Sequence, residues 1–264
     1  MIYLALPALA HLPFEEAARI VSTSFKNWEI LGEGTLSLES IEESFEDVIA
    51  SYGIENLQLH APFSDINIGS YREDVRRFSV NFLKRNIEAA ARLGISHVTI
   101  HPGVLSPYTF GQKDYVIKQT QRSLRELNPA VMDLGIPVSL ENMPAMHITV
   151  GHTPEEMLRM TEGTEIGICL DIGHASTTGN LDAFLDLLLP ERGIKLENIH
   201  IHDNLGIEDQ HLPLGEGNID FKTVLTRIAS SGYRGGYVIE AEGSIESAVK
   251  SLEYLRKQDL LHHL

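Results

Sequence analysis

Ten side chains of metal-ligand type stand out in this chain: His60, His101, Glu141, Asp171, His174, His200, His202, Asp209, His211 and Glu240. Imidazole with carboxylate suits zinc, manganese, iron or cobalt. The densest stretch, "NIHIHDNLGIEDQHLPLGEGNIDF" (198–221), holds three of these histidines beside a glycine-rich turn. Taken singly, each residue has a plain structural explanation, because His and Asp also serve as ordinary turn and cap residues. What changes the reading is their common position at, or just past, the ends of short apolar runs.

Those runs are "IYLAL" (2–6), "WEIL" (28–31), "LQLHAP" (57–62), "HVTIHPG" (97–103), "VSLENMP" (138–144), "IGICLDIGH" (166–174), "NIHIHDN" (198–204) and "GYVIEAEG" (236–243), eight expected strands. Segments with helical spacing separate them, among them 71–94, 113–135, 153–163 and 220–232. Several end in Gly just before the next strand, as a left-handed helix cap requires. No linker or low-complexity tract divides the chain, so residues 1–264 are expected to form one domain. Strand and helix repeating eight times with a period of about 30 residues predicts a (β/α)₈ TIM barrel. A doubly wound open sheet would show a glycine fingerprint after its first strand, and none is present. In a barrel the site lies at the C-terminal strand ends. Six consecutive strands ending in His, Glu or Asp would crowd carboxylates whose repulsion calls for a cation, so a bound divalent metal, or several, is expected there.

Period-2 alternation turns His200 and His202 toward the barrel axis and Ile199 and Ile201 toward the helices. Both can reach the site, and one of these histidines or a nearby Asp is expected to stand behind a ligand or to face substrate. Asp203 is expected to order the following loop.

Composition narrows the function. Lys and Arg total 21 against 37 Asp and Glu, a formal charge of −16, which disfavours nucleic acid as a partner. No apolar run approaches the ~20 residues needed to span a bilayer. The apolar start lacks a preceding basic residue and reads as a first strand, so a cytoplasmic protein is expected. The lone Cys169 excludes an intramolecular disulfide and a thiolate cage. "GEGNID" (215–220) lacks the Lys of a P-loop and is read as a turn starting a helix at Asp220. Trp28 is expected to pack between strand and helix, and Lys195 and Arg234 to be solvated at the barrel bottom.

"LQLHAPFSDINIGS", "HVTIHPGV", "VSLENMP", "CLDIGHA" and "HIHDN…DQHLPLGEGNIDF", in this order, resemble the xylose-isomerase-like barrel superfamily, which contains endonuclease IV and many sugar or sugar-phosphate isomerases and epimerases. The resemblance implies that His60, His101, Glu141, Asp171, His174, His200, Asp209, His211 and Glu240 match the nine ligands of three zinc ions in endonuclease IV. In the isomerase and epimerase branch it implies one metal on Glu141, Asp171, His200 and Glu240. Glu141 and Glu240 would then double as the acid/base pair, and His174 would contact substrate. The rim departs from endonuclease IV: after His60 come Phe63 and Ser64 where that enzyme uses an aromatic and a leucine, and the loop "LGEGTLSLES" (31–40) is acidic and lacks the expected arginine. Glu29 and Glu33 suit hydroxyl recognition instead.

The leading expectation is therefore a metal-dependent isomerase or epimerase of a small polyhydroxylated substrate, a sugar or sugar-like acid, phosphorylated or not. The ion would stabilise an enediolate while carboxylates move the proton. The alternatives are a trinuclear zinc phosphodiesterase, and a barrel that binds metal or ligand without turnover.

Overall fold

The computed structural model describes residues 1–187 and 195–263. Eight parallel strands close into a barrel in sequence order: β1 (Ile2–Ala5), β2 (Asn27–Leu31), β3 (Asn56–His60), β4 (Val98–Ile100), β5 (Val138–Glu141), β6 (Gly167–Asp171), β7 (Leu196–Ile201) and β8 (Gly236–Glu240). β8 returns to β1 with Ala5 beside Glu240. The helices are α1 (Phe14–Ser22), α2 (Leu38–Ile41), α3 (Phe45–Tyr52), α4 (Glu73–Arg92), α5 (Lys113–Leu134), α6 (Pro154–Thr161), α7 (Ile172–Thr177), α8 (Leu181–Leu187), α9 (Phe221–Ser230) and α10 (Ile245–Lys257). This is the expected (β/α)₈ TIM barrel.

Amphipathic spacing decides which helix face meets the sheet. On α4 the buried positions Val80, Leu83, Ile87 and Ala90 recur at three to four residues, one stripe of a 3.6-residue helix. Gly94 and Gly135, both with positive φ, close α4 and α5 as the sequence spacing suggests. Asp220 caps α9, its side chain accepting from the Thr223 amide. Trp28 is buried and stacks on Phe14 of α1 at 6.0 Å.

Strand alternation produces two unlike interiors. Outward residues such as Ile30, Leu59, Ile100, Leu140, Leu170, Ile201 and Ile239 build the main apolar core under the helices. Inward residues are unusually polar for a barrel axis that branched aliphatics normally fill: Glu29, Gln58, His97, Thr99, Ser139 and Asn198 are all buried. Only Tyr3, Ala5 and Val238 form a separate apolar cluster among the described residues. The axis is thus a polar plug beneath the strand ends.

One expectation fails here for a packing reason. Glu29 lies level with Gln58, one inward layer below His60, and is fully buried. It cannot meet substrate hydroxyls; it meets His200 instead, Oε1 lying 3.1 Å from Nε2. Glu33 also does other work, accepting the Phe63 and Ser64 amides at 2.8 Å each and so holding the loop after β3. Asp203, fully buried, orders its loop as expected, accepting backbone N–H groups from Asn204, Gly215, Gly217 and Ile219.

Candidate metal centre

The ten residues converge at the mouth of the barrel in three groups, within each of which one ligand atom per residue lies within 4.8 Å of the others. The first is His60, His101 and Glu141. Nε2 of each histidine lies close to Glu141 Oε2, at 3.2 and 3.1 Å. The second is Glu141, Asp171, His200 and Glu240. His200 Nδ1 stands 3.4 Å from Glu141 Oε1 and 3.0 Å from Glu240 Oε1. Glu141 therefore turns one oxygen to each group, the arrangement of a bridging carboxylate. The third is His174, His202, Asp209 and His211. Asp209 Oδ2 sits 3.2 Å from His174 Nε2 and 3.3 Å from His211 Nε2.

Local structure explains each position. His60, Glu141, Asp171 and Glu240 end their strands, so alternation points them along the axis. Asp171 also caps α7, accepting from the His174 amide at 2.6 Å, which fixes the His174 ring one turn on. Asp209 and His211 arrive on a loop that folds back on β7, Asp203 and Leu212 exchanging both backbone hydrogen bonds at 2.8 Å. His211 adopts a left-handed φ of 44°, a conformation uncommon outside Gly, Asn and Asp that clusters at functional sites.

Anchors behind the ligands orient them, as metal-bound imidazoles require. Asn198 Nδ2 reaches both Glu29 Oε2, at 3.0 Å, and His200 Nε2, at 3.3 Å, while Glu29 Oε1 stands 3.1 Å from His200 Nε2, placing a charge behind the ring without an aligned hydrogen bond. His174 Nδ1 lies 2.8 Å from the Asn142 carbonyl. Asn142, fully buried, also ties β5 to β6 through the Asp171 amide and carbonyl. Sequence reasoning passed over Asn142; its place directly after a ligand in "ENMP" was the available signal.

His202 is not where a substrate contact would stand. It is fully buried, stacks on His211 at 3.8 Å and is absent from the described lining of the cavity. Its Nε2 lies 3.2 Å from Asp171 Oδ1 and 3.5 Å from Asp209 Oδ1, making it a fourth donor in the third group. Gly173 leaves the room it needs, since a Cβ there would collide with the ring.

The donors fit metal ions. Asp171 Oδ2, Asp209 Oδ1, His200 Nδ1 and both nitrogens of His202 are buried without a hydrogen-bond partner. Several are near an oppositely charged group yet misaligned for hydrogen bonding. Buried polar atoms are ordinarily paired, and a cation in each group would satisfy its carboxylate oxygens and one nitrogen of each imidazole. Without ions, protons serve that purpose. Burial pushes His211 down, but the hydrogen bond to Asp209 and the charges of Glu240 and Asp171 outweigh it and raise it to about 9. For His174 burial is likewise outweighed by Asp171, Asp209 and Glu141, which hold its pKa well above the ordinary imidazole value. Burial opposes ionisation of Glu141 and Glu240, and His200 leads the neighbours that nevertheless hold both below the usual carboxylate range.

Above the groups lies a cavity of about 380 Å³. His60, His101, Glu141, His174, Asp209, His211 and Glu240 form its floor. Phe63 stands in its wall, stacked on the His101 ring at 4.7 Å.

Fold and site together define a (β/α)₈ barrel with a histidine–carboxylate centre at its strand ends, suited to divalent metal. The chain belongs to the xylose isomerase-like TIM barrel family, whose model matches residues 18–258. It is 37% identical over 244 residues to the uncharacterized protein MJ1311 of Methanocaldococcus jannaschii, covering 90% of this chain and 82% of that one. It is 26% identical over 231 residues to a probable endonuclease 4 of Shouchella clausii, covering 80% and 76%. Among solved structures, a D-tagatose 3-epimerase-like protein superposes with a TM-score of 0.88 at 33% identity, covering 98% of both chains. Endonuclease IV of Thermus thermophilus shares the fold, with a TM-score of 0.67 at 20% identity over 97% of each. Among the described residues no helix is long and apolar enough to cross a membrane.

Proposed function

We propose that the protein is a divalent-metal-dependent isomerase or epimerase of a small hydroxycarbonyl compound. The observation that carries this reading is the pairing of Glu141 and Glu240 on the floor of one cavity, both close to His200. A bound divalent ion would supply Lewis-acid polarisation of the substrate's carbonyl and adjacent hydroxyl. Glu141, Asp171, His200 and Glu240 would hold it, with His200 oriented by Glu29. One glutamate, ionised in the free protein, takes the proton from the carbon next to the carbonyl. The other, held ionised in the free protein as well, would first take up a proton from solvent and deliver it to the opposite face of that carbon in an epimerisation; in an isomerisation the glutamate that took the proton would return it to the neighbouring carbon, the hydroxyl proton passing between oxygens. No co-reactant is consumed.

Turnover should be accompanied by exchange of one carbon-bound substrate hydrogen with D₂O. Glu141→Gln and Glu240→Gln should each lower that exchange by about 10²- to 10⁴-fold, the usual worth of a positioned acid or base. Exchange undiminished in both variants would sink the assignment.

The three ligand groups and the bridging placement of Glu141 favour a second reading, hydrolysis of a phosphodiester at a trinuclear zinc centre. Against duplex DNA stand the net charge of −16 and the absence of Lys or Arg from the described cavity lining. Phosphate contacts from such cations supply most non-specific DNA affinity. Nicking of a duplex with an abasic site, abolished by His60→Ala and by His101→Ala, would establish this second reading in place of the first.

A further inference from the structure

The cavity wall carries chemistry of its own. Apart from the seven candidate ligands, all ten described lining residues are apolar, among them Leu6, Pro7, Leu31, Phe63, Met143 and Met146. The lip is apolar as well: Phe63, Met146 and Ile148 are 41%, 51% and 40% exposed at the mouth. The lip segment is tied down, since Thr149 Oγ1 donates to the Pro144 carbonyl at 2.7 Å and the Leu105 amide to the Ile148 carbonyl at 2.7 Å. The two polar side chains from which sequence reasoning drew hydroxyl recognition, Glu29 and Glu33, are committed elsewhere. A site built for a sugar phosphate needs a cation or a row of backbone amides for the phosphate, and a site built for a polyol needs a donor or acceptor for each hydroxyl. A hydroxyl pressed against Leu, Met and Phe side chains gives up water and finds no partner. Carbon pressed against them gains contact, and methionine adapts to irregular shapes.

We infer that the substrate is a hydroxycarbonyl compound whose polar atoms are confined to the end that meets the metal groups, and whose remaining carbon skeleton is deoxygenated, alkyl or aryl and free of phosphate. The assignment rests on the isomerase or epimerase reading for the reacting end, and on the wall for the rest. It narrows the polyhydroxylated substrate that the sequence suggests to a sparsely hydroxylated one.

Hydroxamates test the wall without requiring turnover, because their two oxygens bind the metal and their tails report on the cavity. Binding to the manganese- or zinc-loaded protein would be measured calorimetrically for acetohydroxamate, hexanohydroxamate, benzohydroxamate, threonohydroxamate and phosphoglycolohydroxamate. The alkyl and aryl tails should bind at least about tenfold tighter than acetohydroxamate, the scale at which an apolar pocket rewards added carbon, and the hydroxylated and phosphorylated tails no tighter than it. Met146→Lys should raise affinity for the phosphorylated tail relative to acetohydroxamate at least about tenfold and lower that for the alkyl tails, with thermal stability of the metal-free protein reporting the fold. A flat series, or tightest binding by the phosphorylated or polyhydroxylated tail in the unaltered protein, overturns the inference. Solvent exchange separates it from the reading beneath it. With 1-hydroxy-2-hexanone, fructose and dihydroxyacetone phosphate offered in D₂O, exchange in the first alone supports both. Exchange confined to the other two keeps the isomerase and overturns the apolar substrate. Tail preference with no exchange in any overturns the isomerase and leaves the wall's selectivity standing.

Discussion

Glu29 and His202 show how burial redefines a polar side chain. Both look like substrate contacts from type and position, yet each is fully enclosed and points at other candidate ligands. Glu29→Gln retains the shape and the Asn198 contact but removes the charge behind His200. It should weaken metal binding at the second group by about 10- to 100-fold, the usual effect of losing such an anchor, with thermal stability of the metal-free protein as the control for folding. His202→Ala should lower the number of bound ions measured by elemental analysis while leaving those of the Glu141-centred groups. Unchanged stoichiometry and affinity in that variant would remove His202 from the ligand set.

At the scale of elements, the site depends on short segments held at close range. α7 follows β6 directly, and Gly173 at its start leaves the space that the His202 ring occupies, which any side chain would fill. Gly173→Ala should displace that ring and cost the third group its ion, read as lost stoichiometry with little change in secondary structure by circular dichroism. On the outer layer Arg76 of α4 is fully buried and joins α5, its guanidinium meeting Glu126 and Glu73 at 2.9 Å and Ser123 Oγ at 2.9 Å. Arg76 and Arg122, through hydrogen bonds that outweigh the slight desolvation, hold the Glu73 carboxyl down at about 2. Arg76→Met should destabilise by about 1–3 kcal/mol in urea titration, less than a wholly buried pair would lose, because both glutamates are half exposed and rehydrate.

For the whole molecule, protons and the proposed metal ions would compete for one buried centre. His211, raised from 6.5 to about 9 in the metal-free protein, contributes stability that is complete below pH 6.5 and is lost as pH rises through about 9. His97 works in the opposite sense: burial lowers it to about 3, so the unfolded chain binds more protons below pH 6.5 and stability falls toward acid. The metal-free protein should therefore show its highest Tm near pH 6.5, with an alkaline decline that saturating zinc or manganese removes by replacing the proton. A Tm that declines equally with and without metal between pH 7 and 9.5 would refute this linkage. Because the proposed ions would bind the folded centre, chelator added to metal-loaded protein should also lower Tm at any pH in this range.

Much of this was legible in the chain itself. Eight apolar runs, glycine-ended helices and ligand-type residues at the strand ends are local patterns, because strand alternation and helix periodicity are fixed within a few residues. The barrel and the candidate ligands followed from them. The family resemblance already implied the group of Glu141, Asp171, His200 and Glu240; tertiary structure alone decided how the other candidate ligands divide, which carboxylate is shared, that Glu29 stands behind His200, and that His202 is interior. It also decided the character of the cavity, whose wall is assembled from the C-terminal ends of strands and from the loops after them. Those facts are distances between residues as remote in the chain as Glu29 and His200, and closure of the barrel is what makes them short.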